Sequence, residues 1–115
     1  MSDDLIRNLD GILTSVHDGA AEGLFFAGEH ILEVSNRHIP IEEGTLQRSG
    51  KVTVDKGTLE AAISYATPYA VKQHEDLALR HDPGRTAKFL ENALNGERET
   101  ARKIVAEHTR RHLER

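Results

Sequence analysis

Cysteine and tryptophan are absent from this 115-residue chain, proline occurs three times, and aromatic residues make up only 4 % of it. Without cysteine there is no disulfide scaffold, no thiolate metal site and no cysteine nucleophile. With so few aromatics, a core has to be assembled from Leu, Ile, Val and Ala. Long apolar runs are missing as well. The longest, Leu24-Phe25-Phe26-Ala27, is far short of the roughly 20 residues that span a bilayer. The chain starts Met1-Ser2-Asp3-Asp4, acidic where a secretory signal carries base, so a soluble, non-secreted single domain over residues 1–115 is expected. Catalytic signatures are scarce too. Gly11, Gly19, Gly23 and Gly28 have neither Walker nor dinucleotide-binding spacing. Ser49 and Ser64 lack the glycine frame of a nucleophile elbow, and Glu42-Glu43 read as a solvated turn rather than an acid–base pair.

What the chain does have is charge. Asp, Glu, Lys and Arg make up 30 % of it, with a net charge of −4. A net acidic chain lacks the electrostatic footprint of a nucleic-acid binder, which gains most of its affinity by neutralising phosphates. The sign is unevenly spread: residues 1–50 hold nine acids and three bases, and residues 97–115 hold four acids and six bases. Two such ends attract, within one chain or between neighbouring copies, although two ordinary solvated helix faces carry the same pattern.

The periodicity predicts an α+β fold. Leu5, Leu9, Ile12, Val16, Ala20, Gly23, Ala27, Ile31 and Val34 recur at a mean step of about 3.6 residues, the repeat of a straight amphipathic helix. Ser2 is a candidate N-cap, and Pro40 ends the helix near Arg37. The stripe keeps its phase through Gly19, so one long N-terminal helix is expected, with its small residues admitting another element at close range. Residues 42–49 have room for one helical turn. Lys51–Asp55 alternates, as do Leu59, Ala61, Ile63 and Tyr65, which predicts a central antiparallel β-hairpin turning at 55–58 with Gly57 at positive φ. Thr67-Pro68 opens a short helix to about Glu75. Residues 76–85 are expected as a loop, with Pro83-Gly84 as turn chemistry. Thr86 caps a C-terminal helix whose Leu90, Leu94, Ala101, Ile104 and Val105 face the core. Its middle is weakened by Gly96, and its last turns, from Glu107, run past the core.

Seven histidines invite a metal reading. His108 and His112 lie one helical turn apart, a spacing used by zinc sites, but no glutamate lies between them and Arg110 and Arg111 repel a cation. His74, Glu75 and His81 form the other candidate cluster. Structural histidines are the simpler reading, and no metal and no cofactor is expected.

Three stretches together resemble a known family. Pro40-Ile-Glu-Glu-Gly-Thr-Leu-Gln-Arg-Ser49 is similar to the Pro-x-x-x-Gly-x-Leu-x-x-Ser stretch that follows the first helix in tailed-phage neck proteins. Tyr65-Ala-Thr-Pro-Tyr-Ala-Val-Lys-Gln-His-Glu75 resembles their Tyr-Ala-x-x-Tyr-Ala-x-x-x-His-Glu stretch, with Lys72 where an aromatic or apolar residue is usual. Residues 80–94, with Lys88-Phe89-Leu90-Glu91, resemble the entry to their C-terminal helix, with Asp82-Pro83 in place of Pro-Asn. The family comprises minor capsid and head–tail connector, or tail-completion, proteins of long-tailed bacteriophages and prophages.

The resemblance implies a structural virion protein, not an enzyme. It implies a ring of identical subunits at the neck, between the head-side portal or adaptor and the tail-tube or tail-terminator protein. Such a ring encloses the DNA channel without reading sequence, and needs no membrane. The polar segment before the last helix is the expected docking surface, with Gln73, His74, Glu75, Leu77, Leu79, Arg80, His81 and Arg85 at the interface. A small regulatory protein-binding module, or a metal-dependent hydrolase using His74, Glu75 and His81, are the rival function classes.

Overall fold

The computed structural model describes residues 2–65 and 81–114, the side chains of residues 2, 3, 41 and 81–87 excepted. One helix, α1 (Ser2–Arg37), runs without a break through Gly11, Gly19, Gly23 and Gly28. At about 1.5 Å per residue it is about 54 Å long and supplies most of the 64 Å length of the molecule. Ser2 lies within it rather than ahead of it. The helix ends before Pro40, and its terminal carbonyls are taken up by the next element. Gln47 Nε2 donates to the carbonyls of Asn36 and Ile39, at 2.9 and 3.0 Å, which supplies partners that a helix end otherwise lacks. Gln47 belongs to α2 (Gly44–Arg48), reached through a single 3-10 turn at Ile41–Glu43. Leu46 is buried there, and the Ser49 hydroxyl closes the turn on the Leu46 carbonyl at 2.7 Å.

The hairpin is present as β1 (Lys51–Asp55) and β2 (Glu60–Ser64), antiparallel with Val52 opposite Ile63 and Val54 opposite Ala61. Val52 is buried against α1 at Gly28, where a β-carbon would lie 2.6 Å from a Val52 methyl. The turn differs from expectation. Gly57 has no positive φ; Leu59 does, at 55°. Asp55 Oδ1 accepts from the N–H groups of Gly57 and Thr58, at 2.9 and 3.1 Å, an Asx-type turn. This fixes a four-residue loop, and the left-handed residue falls at its last position, on Leu59 rather than on the glycine. Leu59 is therefore in the loop and not in the strand.

The expected short helix from Thr67 to Glu75 lies outside the described residues, as do Gln73, His74, Glu75, Leu77, Leu79 and Arg80. Helix α3 spans His81–Gly96, so residues 81–85 are helical and not loop, and Thr86 is not a cap. Pro83 is its third residue, where the backbone N–H has no acceptor within the helix and its loss costs little. At Glu97 the helix breaks and α4 (Arg98–Leu113) begins, so the single C-terminal helix is two. The hydrogen-bond ladder nonetheless continues through the break: Glu97 N–H donates to the Ala93 carbonyl and Ala101 N–H to the Glu97 carbonyl, both at 2.9 Å. Leu94 was placed in the core but is exposed, and Ala93 is buried instead.

Helix α4 packs antiparallel on α1, and the glycines explain how closely. A β-carbon on Gly23 would lie 2.6 Å from Val105 Cα, and one on Gly19 would lie 2.7 Å from Thr109 Cα. The two backbones meet at distances that only glycine permits. Toward the hairpin, Leu32 and Ser35 are buried, and the Tyr65 hydroxyl hydrogen-bonds Ser35 Oγ and Asn36 Oδ1, each at 2.8 Å. Burial pushes the Tyr65 phenol above its usual range, although its bond to Ser35 opposes this. The core is thus one side of the C-terminal two-thirds of α1, covered by α4 and α3 on one flank and the hairpin on the other.

Candidate interaction surfaces

The antiparallel register has a consequence for the ends. Gly19 lies beside Thr109 and His112, so the last turns of α4 pack on α1 rather than running past the core. The overhang is at the other helix. From Ser2 to Thr14, about 20 Å at the helical rise, α1 extends past the end of α4, and residues 4–14 are exposed throughout. Leu5, Ile6, Leu9, Ile12 and Leu13 are each between 50 % and 64 % exposed. Three of these, Leu5, Leu9 and Ile12, belong to the apolar stripe read from the sequence. Periodicity places them on the apolar face, but no described element reaches that far to cover them.

A second apolar surface lies on the same helix, higher up. Leu24, Ala27 and Ile31 of α1 floor a groove of about 930 Å³. Ile63 and Ala61 of β2 wall it on one side, and Leu90, Leu94, Ala101 and Val105 of α3 and α4 on the other. Glu91, Arg98 and Arg102 stand among its lining residues. Arg98 donates to Asn95 Oδ1 at 3.4 Å, and Arg102 faces Glu99 at 3.6 Å, both long contacts between exposed groups.

The histidines fasten helices. Glu22 Oε2 accepts from His108 Nδ1 and His112 Nε2, each at 2.9 Å, and the Phe26 ring stacks on His108 with centroids 4.7 Å apart. The hydrogen bond from His108 leads in holding the Glu22 carboxyl below the usual glutamate range, with His112 assisting. His30 Nε2 donates to Glu97 Oε1 at 2.5 Å, which ties the α3–α4 junction to α1. His17 donates to the Lys56 carbonyl, and Lys56 Nζ lies 2.7 Å from Asp18 Oδ1, so the hairpin turn is pinned to α1 as well. The Lys56 ammonium correspondingly holds Asp18 below its usual range.

Acidic α1 and basic α4 therefore meet, but through imidazoles. The arginines near the end of α4 pair with neighbours along the chain: Arg110 with Glu107 and Glu114, and Arg111 with Glu107. The one-turn spacing of His108 and His112 serves a shared carboxylate on the facing helix. Among the described residues no group of three His, Cys, Asp or Glu side chains could hold a metal ion, and no helix is long and apolar enough to cross a membrane. Of the residues expected at an assembly interface, His81 and Arg85 fall in the first turns of α3, and the other six lie outside the described residues. No separate sequence signal marks the overhang, because a stripe says which residues share a face and not how far a partner extends.

Compared with known proteins, this chain matches no family model, no curated protein and no solved structure.

Proposed function

We propose that the chain is a structural subunit of the neck of a long-tailed phage or prophage, assembling with copies of itself into a ring that joins the head-side portal or adaptor to the tail-tube or tail-terminator protein. The observation that carries this reading is the overhang of α1. A helix that exposes Leu5, Ile6, Leu9, Ile12 and Leu13 in one stretch has an apolar surface of the kind that marks protein–protein contact. The order and spacing of the three family-like stretches supply the kind of assembly. Their described members have structural positions: Leu46 is buried, Ser49 closes α2, and Tyr65 ties the end of β2 to α1. The role is mechanical, with no reaction and no cofactor, and the acidic surface suits a channel through which DNA passes without sticking.

The test is to disrupt the gene in the phage or prophage that encodes the chain and examine the particles by electron microscopy. DNA-filled heads and separate, complete tails, rejoined when the protein is supplied from a plasmid, are expected. Normal joined particles without the protein overturn the reading.

A further inference from the structure

The overhang and the groove lie on one face of one helix. From Leu9 the stripe runs through Ile12, Val16, Ala20, Leu24, Ala27 and Ile31 in steps of three and four residues, so the exposed lower part and the groove floor point the same way. Their lengths agree: Leu5 to Leu13 spans about 12 Å and Leu24 to Ile31 about 10 Å at the helical rise. Among the described residues their charges are opposed: Asp4 and Asp10 against the lone Arg7 on the overhang, and Arg98 and Arg102 against the lone Glu91 on the groove. An amphipathic helix laid in an apolar groove is an established mode of protein recognition.

We infer that the overhang of one copy, residues 4–14 of α1, seats its Leu5, Leu9, Ile12 and Leu13 in the groove of a second copy between β2 and the α3–α4 pair. This rests on the ring reading and names its contact. Donor and acceptor are different surfaces; in the ring reading the contact is heterologous and leaves each copy with one free end of each kind until the ring closes. A helix face about 20 Å long and about 15 Å around buries about 300 Å² on each partner, well under the roughly 800 Å² per partner of a standard stable interface. One such contact is weak alone, and a closed ring, in which every copy both donates and accepts, holds what a pair does not.

The chain has no cysteine of its own, which makes disulfide trapping direct. Leu9→Cys and Leu94→Cys replace exposed residues, and each variant alone should unfold like the parent. Mixed under mild oxidation, the two should form a cross-linked pair well above the yield when Leu9→Cys is mixed with Thr58→Cys in the hairpin turn. Adding Ile12→Glu to the Leu9→Cys chain should abolish the cross-link without loss of helicity. A mixture that cross-links no more than the Thr58→Cys control overturns the inference. So does a Leu94→Cys thiol that stays unreactive in dilute monomer, since the groove is then filled within one chain. The two readings fail separately. Rings seen by microscopy without this cross-link refute the contact and leave the ring; a specific cross-link in a protein whose loss leaves heads and tails joined refutes the neck and leaves the contact.

Discussion

Replacing Gly23 by alanine sets two effects against each other. In an exposed helix the change is favourable, because glycine in a helix interior is worse than alanine by about 1 kcal/mol. Gly23 is not exposed: its new methyl would lie 2.6 Å from Val105 Cα, 3.1 Å from the Val105 carbonyl oxygen and 3.3 Å from His108 Cβ. Two of these three atoms are backbone, so no rotamer change relieves the clash, and α4 has to move as a body by about 1 Å to restore ordinary contact. That movement loosens the His108 and His112 bonds to Glu22, each 2.9 Å now. Overpacking of this kind typically costs about 1–3 kcal/mol. Because the nearest atoms are backbone, the cost lies in the upper half of that range, about 2–3 kcal/mol, and after the propensity gain of about 1 kcal/mol Gly23→Ala should be destabilised by about 1–2 kcal/mol. Gly11→Ala is the internal control. It sits on the overhang with nothing within 4 Å of a β-carbon and should be stabilised by up to about 1 kcal/mol. Urea unfolding followed by circular dichroism, at one fixed protein concentration because any self-association adds to apparent stability, reads both. Gly19→Ala demands the same displacement of α4, so the Gly19→Ala/Gly23→Ala double variant should lose less than the sum of the singles. If Gly23→Ala is as stable as the parent while Gly11→Ala is stabilised, the two helices do not meet at their backbones and the packing argument is wrong.

Three further outcomes are expected. Glu22 has its carboxyl pKa lowered in the folded chain, first by His108; its stabilising contribution is complete above the ordinary glutamate range and is lost as pH falls through the lowered value. Denaturant midpoints should therefore fall less steeply with acid in Glu22→Gln than in the parent, and identical pH profiles would refute the clasp. Tyr65→Phe leaves the Ser35 hydroxyl, 0 % exposed, without its phenol partner and should cost about 1–3 kcal/mol, with Tyr65→Phe/Ser35→Ala less costly than the sum of the two; additive losses in thermal unfolding would contradict the pairing. Leu59→Gly removes a left-handed strain of about 1–2 kcal/mol at the expense of a half-buried side chain, so a small net gain in stability is expected, whereas Leu59→Val should destabilise.

The elements were legible where a local rule decided them. The 36-residue α1 is written in its period and its stop before Pro40, and the hairpin in its alternation. The close approach at Gly19 and Gly23 was legible as a run of small residues on a helix face. The left-handed residue was missed because Asp55, not Gly57, governs the turn: a side chain accepting two backbone N–H groups sets the loop length, and the loop length chooses Leu59. The start of α3 was missed because Pro83 and Gly84 are turn residues in isolation, yet the first turn of a helix does not need the proline N–H. The partner of the His108 and His112 pair was not legible for a different reason. Their one-turn spacing is common to any pair on a helix face, and the carboxylate they share, Glu22, lies 86 residues before His108 and 90 before His112, beyond the reach of any local pattern.

Helix α1 also acts as a ruler. From Leu9 at the middle of the overhang to Ala27 on the groove floor is eighteen residues, which is five whole turns and about 27 Å. Substitutions along the exposed part of this span change which side chains are offered and leave the spacing alone, but a single inserted or deleted residue changes both readings of the ruler at once. It moves the overhang by about 1.5 Å and swings its apolar face by about 100°, out of line with everything the upper helix holds. Only changes of about seven or eleven residues, two or three turns, restore the direction, and these move the overhang by about 10 or 16 Å. The separation of the two apolar surfaces can therefore drift in composition but can change in length only by jumps, and any assembly dimension set by α1 is inherited in steps of a few turns.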